Sequence, residues 1–267
     1  MASWYDYPQY FDMMFRDETD AEIAFFQEAL QAYGDEGQWH RVIEPGCGGG
    51  RLVVALANLG FDVVGYDQNE AMVRYTRRRL RRRGLAAEVY SADMRSHEVT
   101  PPADFALCTF NTFRHLVDEG EAEGHLRVMA RSLRPGGLYF LGFHCIPLDA
   151  DPECTERWTA THAGTRVTTT LRVLSSDRRD RRERLRVSVK ATLSAGTVRR
   201  VRDEFDLRLY TPEQARSLLE GVADLFQIVA VHDFDYNIDE SREIDHDLCD
   251  ALFVLRRRNV PRPQHSL

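Results

Sequence analysis

The chain has 267 residues, 43% of them hydrophobic, and a formal net charge of −7. That length suits one large domain or one domain with an elaboration, and the apolar share suffices for a core. The acidic balance gives no global pull toward nucleic acid or a membrane surface, and no apolar run is long enough to cross a bilayer.

At the N-terminus, MASWYDYPQY is aromatic and acidic, unlike a signal peptide. Residues 17–33 place Ile23, Phe26 and Leu30 at helical spacing, with acids in the first turn and Gly34 beyond the end. That pattern predicts an amphipathic helix. Strands and helices then alternate: strand 40–44, helix 49–59, strand 61–66, helix 69–83, strands 85–90 and 103–109, helix 119–133 and strand 137–144. Short loops between alternating elements mean a parallel, doubly wound sheet. Near residue 150 the pattern changes. TERWTATH, TRVTTTLRVLS, RLRVSVKATLS and TVRRVRDEFDLRLY have period-two character and are separated by turn formers, which predicts an antiparallel insertion. Residues 211–222 read as a helix with Thr211 as N-cap and Pro212 at its first position. Strands near 225–232 and 250–257 would close the sheet. The expected units are 1–36 (aromatic cap and helix), 37–149 (core), 150–210 (insertion), 211–259 (closing helix and strands) and 260–267 (tail).

Residues 43–52 read IEPGCGGGRL, with four glycines in five positions and Glu44 just ahead of them. Glycine lets the backbone turn sharply and approach a ligand closely. A helix starting behind it aims free N–H groups and a positive dipole end at that ligand. The loop therefore binds part of a nucleotide-like cofactor. A dinucleotide loop wants G-x-G-x-x-G, but the third position is Arg51 counted from Gly46 and Val53 counted from Gly48. A P-loop would need Gly-Lys-Ser/Thr, and the single lysine is Lys190. What fits is acid-x-G-x-G-x-G at Glu44, Gly46, Gly48 and Gly50.

Asp67 ends the second strand, where an acid accepts hydrogen bonds from ribose hydroxyls. It also reads as a cap ahead of Asn69 and Glu70. Asp93-Met94 follows the third strand, and a turn-capping aspartate is its other reading. His115 and His144 follow the fourth and fifth strands, at the edge where a reacting molecule would lie, and a neutral histidine takes a proton near pH 7. Arg114 is suited to gripping a carboxylate or phosphate, or to the surface. The run RRRLRRR at 77–83 invites a nucleic-acid reading, but its arginines point around several faces of a helix, which favours a solvated surface. Five cysteines without a C-x-x-C pair read as reduced thiols in the cytoplasm.

Taken together, IEPGCGGGRL, Asp67, SADMR, FALCTFNTFRHL and LRPGGLYF resemble, in order and interval, the class I S-adenosylmethionine-dependent methyltransferases over residues 40–145. Beyond residue 150 the layout is similar to the small-molecule branch, including amino-sugar N-methyltransferases. The resemblance implies a Rossmann-like, doubly wound seven-stranded sheet with an antiparallel β insertion after the fifth strand. It implies S-adenosylmethionine as cofactor, held at Glu44, Gly46, Cys47, Gly48 and Gly50. Further cofactor contacts fall on Asp67 and Gln68, then Met72, then Asp93 and Met94 at the adenine, and Phe110. It leaves His115 and His144 as catalytic candidates, and Arg114, Tyr10 and Trp158 as acceptor-side candidates, with no metal. The inserted sheet would cover the acceptor pocket or pair subunits into a homodimer. Two positions depart from the family: Pro45 follows Glu44, and Phe11 stands where many relatives have tyrosine. The second removes a hydroxyl that Tyr5, Tyr7 or Tyr10 would have to replace. Methyl transfer to N or O of a small molecule is the expected function. A methyltransferase acting on RNA or protein and a non-catalytic cofactor-binding protein are the alternatives.

Overall fold

The computed structural model describes residues 3–35, 37–147 and 154–259. The expected tail at 260–267 lies outside them, as does the start of the insertion at 150–153. Seven strands form the central sheet: β1 (Arg41–Pro45), β2 (Asp62–Asp67), β3 (Glu88–Ser91), β4 (Ala103–Cys108), β5 (Leu133–His144), β10 (Phe226–His232) and β11 (Asp250–Arg257). Their order is β10-β11-β5-β4-β1-β2-β3. The first five run parallel, and β11 pairs antiparallel with both β5 and β10. Helices α3 (Arg51–Asn58), α4 (Glu70–Arg83), α5 (Glu119–Ser132) and α6 (Pro212–Glu220) connect the strands. Strands covered on both faces must be apolar throughout, and β4 (ADFALC) is buried at five of its six positions. One buried cluster centres on Tyr66, Tyr139 and Phe143, the other on Phe26, Val53, Phe105 and Phe140.

The chain runs outward from β1 to β3, then returns to the other side of β1 with β4. This reversal opens a crevice beyond the carboxyl ends of β1 and β4, where ligands bind in open α/β sheets. The insertion forms a separate antiparallel sheet, β6 (Thr155–His162), β7 (Thr165–Asp177), β8 (Arg182–Thr192) and β9 (Val198–Arg208), in that spatial order. Its inner face, with Val167, Val187, Val189 and Ala191, packs on Trp4 and Tyr10 of the N-terminal segment.

The N-terminal unit is two helices rather than one, α1 (Pro8–Phe15) and α2 (Thr19–Tyr33), joined by a 3₁₀ turn at Arg16–Glu18. Eight residues of α1 are too few for periodicity to announce a helix. The fifth strand begins at Leu133, not 137, because RPGG is a bulge inside it. Its register on β4 shifts between Ala103↔Leu133 and Phe105↔Leu138. Thr211 caps α6 as expected, with a reciprocal pair to Gln214 and Pro212 at the first position.

Candidate active site

Beyond β1 the backbone turns at Gly46, Gly48 and Gly50, all with positive φ. Two of these glycines do different work. A Cβ on Gly50 would sit 2.2 Å from Thr76 Cγ2, so this glycine lets α3 pack on α4. A Cβ on Gly48 would meet nothing within 4 Å, so this glycine leaves open space beside the loop. That space belongs to a cavity of about 1050 Å³ bounded by the strand ends, the N-terminal segment and the inserted sheet.

Asp67 holds the loop. Its Oδ2 accepts from Gly48 N at 2.9 Å and its Oδ1 from Asn69 N at 2.7 Å. Enclosure raises its pKa, opposed by these two N–H groups. The cap of α4 is Asn69, whose Oδ1 accepts from Ala71 N and Met72 N. Asp67 is therefore free of the capping role and still borders the cavity.

Glu44 also borders it. One oxygen accepts from Val53 N at 3.1 Å, and desolvation pushes the carboxyl up to about 8, against the nearby Arg51 charge. Gly46, Cys47, Gly48, Gln68, Met72, Met94 and Phe110 line the same space. Asp93 does not. Its carboxylate is gripped by Arg95, with Nε at 2.8 Å and Nη2 at 2.6 Å, which lowers its pKa. Ala92, Met94 and Arg95 form the wall at that point. Gly50 is likewise outside the lining.

On the far side, His115 opens its ring to the cavity, and its Nε2 lies 3.0 Å from the Tyr5 hydroxyl. Desolvation, and then Arg114, lower it to about 4, so it is neutral near pH 7. Burial raises the Tyr5 phenol, which therefore keeps its proton near pH 7. Tyr5 thus brings a hydroxyl to this wall although Phe11 lacks one. His144 borders the cavity with Nδ1 on the Asp250 carboxylate, an interaction that lowers Asp250. The register explains the pair, since His144 and Asp250 are directly opposed on β5 and β11.

Two acceptor-side expectations change. Arg114 borders the cavity but is 3% exposed, with Nη2 on Glu183 at 2.7 Å and Nε donating to Arg208 O. Its fork joins the insertion to the core and is not free for an acceptor. Tyr10 is buried against the inserted sheet and stacks on Tyr7, away from the cavity. Trp158 does line it, from β6.

Sequence reasoning missed Glu18, Glu22 and Arg51 at the donor end and Asp250 at the other. Glu22 had a signal: four residues before Phe26, it sits on the apolar stripe of α2, where a lone acid needs a partner. Asp250 had none, because its role depends on the pairing of two distant strands.

Residues 42–137 match the family model of a methyltransferase domain. That segment carries a methyltransferase domain. S-adenosylmethionine fits this site: Gly48 leaves a cradle that a side chain would fill, with acids on both sides of it. A putative methyltransferase of Geobacillus is 28% identical over 143 residues, 54% of this chain and 56% of that one. The chain thus spans about half the length of the curated relatives it matches. Two solved structures share its fold over most of their length. An S-adenosylmethionine-dependent methyltransferase of Clostridium acetobutylicum gives a TM-score of 0.76 at 13% identity, covering 93% of this chain and 96% of that one. A sugar N-methyltransferase of Streptoalloteichus gives 0.68 at 21% identity, covering 90% and 87%.

Proposed function

We propose that the chain transfers a methyl group from S-adenosylmethionine to an N or O atom of a small-molecule acceptor. One observation carries this reading. The cavity runs without a break from the glycine loop to a chamber roofed by Leu171, Leu185, Val187 and Phe205 of the inserted sheet and walled by Trp4, Tyr5 and Phe15. Two molecules of modest size fit end to end in about 1050 Å³. A polymer would need an open groove.

When bound, S-adenosylmethionine supplies a methyl group already activated on a sulfonium. The protein's task is then alignment and exclusion of water. Glu44, Gly48 and Asp67 fix the donor end, while the inserted sheet and N-terminal segment keep the acceptor end dry. The two histidines divide the remaining work. His115 has its Nε2 occupied by the Tyr5 hydroxyl, so it orients the acceptor. His144 donates a hydrogen bond from Nδ1–H to Asp250, which leaves Nε2 to take the proton from an acceptor atom that must lose one.

Action on RNA or protein has weaker support. Within the Arg77–Arg83 run, Arg77 Nε donates to Val89 O at 2.6 Å, and Arg79 binds Gly49 O and Asp12. Those two arginines hold the fold together. Calorimetric titration with S-adenosylmethionine, followed by an amine and hydroxyl acceptor screen for S-adenosylhomocysteine release, tests the proposal. Donor binding with turnover only on RNA or protein would overturn the acceptor assignment. Failure to bind the donor would overturn the whole.

A further inference from the structure

We infer that Cys145 and Cys249 form a modification site, in which a small disulfide oxidises the two thiols to a bridge across the β5–β11 seam at the acceptor end. The pair does this whatever fills the cavity.

Strand register places the two thiols. Strands β5 and β11 run antiparallel, with Phe143 opposite Ala251 and His144 opposite Asp250. One step further along the same register sets Cys145 opposite Cys249, and Cys145 N donates to Cys249 O at 2.6 Å. Opposed residues joined by such a bond stand about 5.5 Å apart at Cα. A disulfide spans about 4.4–6.8 Å, so closing it here needs no shift of either strand. Directly opposed side chains leave a sheet on the same face, and both cysteines border the cavity. Both are thiols in this structure. Of the other three, Cys47 and Cys108 are buried in the glycine loop and on β4, and Cys154 Sγ donates to Glu156 Oε1 at 3.6 Å.

The two thiols differ in access, which sets the order of events. Cys249 is exposed, whereas Cys145 is 1% exposed. Burial pushes the Cys145 thiol up to about 12, against the pull of Arg114, so it keeps its proton and does not meet a soluble oxidant. The Cys249 thiolate therefore reacts first, on one sulfur of a disulfide such as glutathione disulfide. That step forms a mixed disulfide and releases one glutathione thiolate. The Cys145 thiol then loses its proton and attacks the Cys249 sulfur, which closes the bridge and releases the second glutathione. Two protein thiols are oxidised, one disulfide is reduced, and the two protons end on the two glutathiones. The second step has a use. Glutathione left on Cys249 would stand in the acceptor chamber that both cysteines border, and closure of the bridge expels it.

The test incubates the full, folded chain with glutathione disulfide, quenches with acid, alkylates the remaining thiols and maps the peptides by mass spectrometry. The wild-type chain should lose two of its five thiols, stay a single chain on a non-reducing gel, and give a Cys145–Cys249 linked peptide that dithiothreitol reverses. Its urea midpoint should rise, because the bridge closes a loop over residues 146–248. The closing step should quicken about tenfold per pH unit between pH 7 and pH 9, as the Cys145 thiolate fraction does. Cys145→Ser should stop at glutathione on Cys249, Cys249→Ser should take up none there and form no bridge, and Cys154→Ser should bridge as the wild type does. Should Cys145→Ser fail to fold, the peptide maps of the wild type and Cys154→Ser decide the matter alone. A wild-type chain that holds glutathione on Cys249 beside an unreacted Cys145, that links Cys249 to Cys154 or to a second chain, or that keeps all its thiols overturns the inference.

Discussion

The two ends of the cavity are built in opposite ways. The donor end is made of backbone: a loop at positive φ, strand ends, and N–H groups held by Asp67 and Glu44. Residues 44–67 make most of it, with Glu18 and Glu22 joining from the N-terminal segment. The acceptor end is made of side chains that meet across long stretches of chain: Tyr5 on His115, Arg114 on Glu183, His144 beside Asp250, Asp203 on Ser3. A donor common to many reactions suits a local backbone motif. An acceptor particular to one reaction suits a wall that side-chain substitutions can reshape without touching the loop.

The largest expected effect cuts the seam between the two ends. Glu183→Ala leaves the Arg114 guanidinium buried without its partner, since Arg114 is only 3% exposed. Breaking such a pair costs about 3–5 kcal/mol, read as a lower urea midpoint. If the seam is the joint we describe, Arg114→Met with Glu183→Leu recovers most of that loss. A double variant as weak as the single would show that the pair does more than join.

Acid should strike the donor end through its floor. His125 is fully buried, with Nδ1 on Met94 O at 2.8 Å and Nε2 on the Tyr139 hydroxyl at 2.6 Å. Desolvation lowers it to about 4, against the carbonyl's pull. The unfolded chain binds the extra proton between its ordinary value near 6.5 and 4, so this contribution is complete above that window and is lost as pH falls through it. The loss approaches about 3 kcal/mol. His125→Asn should flatten that part of the stability–pH curve. His115, similarly lowered but open to the cavity, should contribute far less.

A smaller effect, confined to the donor end, follows from Asp67→Ala. It strips the acceptors from Gly48 N and Asn69 N and removes a cavity-side carboxylate. Affinity for S-adenosylhomocysteine should fall about a hundredfold, while amide exchange in 155–208 stays unchanged. A parallel loosening of the inserted sheet would show that the ends are not independent.

This contrast also explains what was legible in the sequence. The β–α alternation, the loop, Asp67 and the change of pattern near 150 are local, so spacing alone revealed them. Asp93 follows the third strand as its spacing predicts, yet Arg95, two residues on, grips its carboxylate, a rotamer-level event that no spacing encodes. The sequence offers Arg114 as a cation beside the acceptor, but its partner Glu183 is far along the chain. Tyr10 offers a hydroxyl in the sequence, and the packing of α1 makes it core. Asp250 needed the register of β11 against β5.

The smallest effect tests whether the N-terminal segment belongs to the acceptor wall. Asp203 Oδ2 accepts from Ser3 Oγ at 2.5 Å and from Trp4 N at 3.0 Å, tying the first turn to β9. Asp203→Ala removes both bonds, but Trp4 remains 5% exposed against the inserted sheet and Tyr5 keeps His115. Global stability should therefore change by no more than about 1 kcal/mol. Local opening is another matter, because a short segment tethered at few points exchanges through its own fraying. Amide exchange over residues 4–15 should quicken about fivefold, with the glycine loop unaffected. Bound S-adenosylhomocysteine should not restore protection there if the segment walls only the acceptor end. Restored protection would place Trp4, Tyr5 and Phe15 against the donor as well, and the boundary between the two halves would move to the inserted sheet.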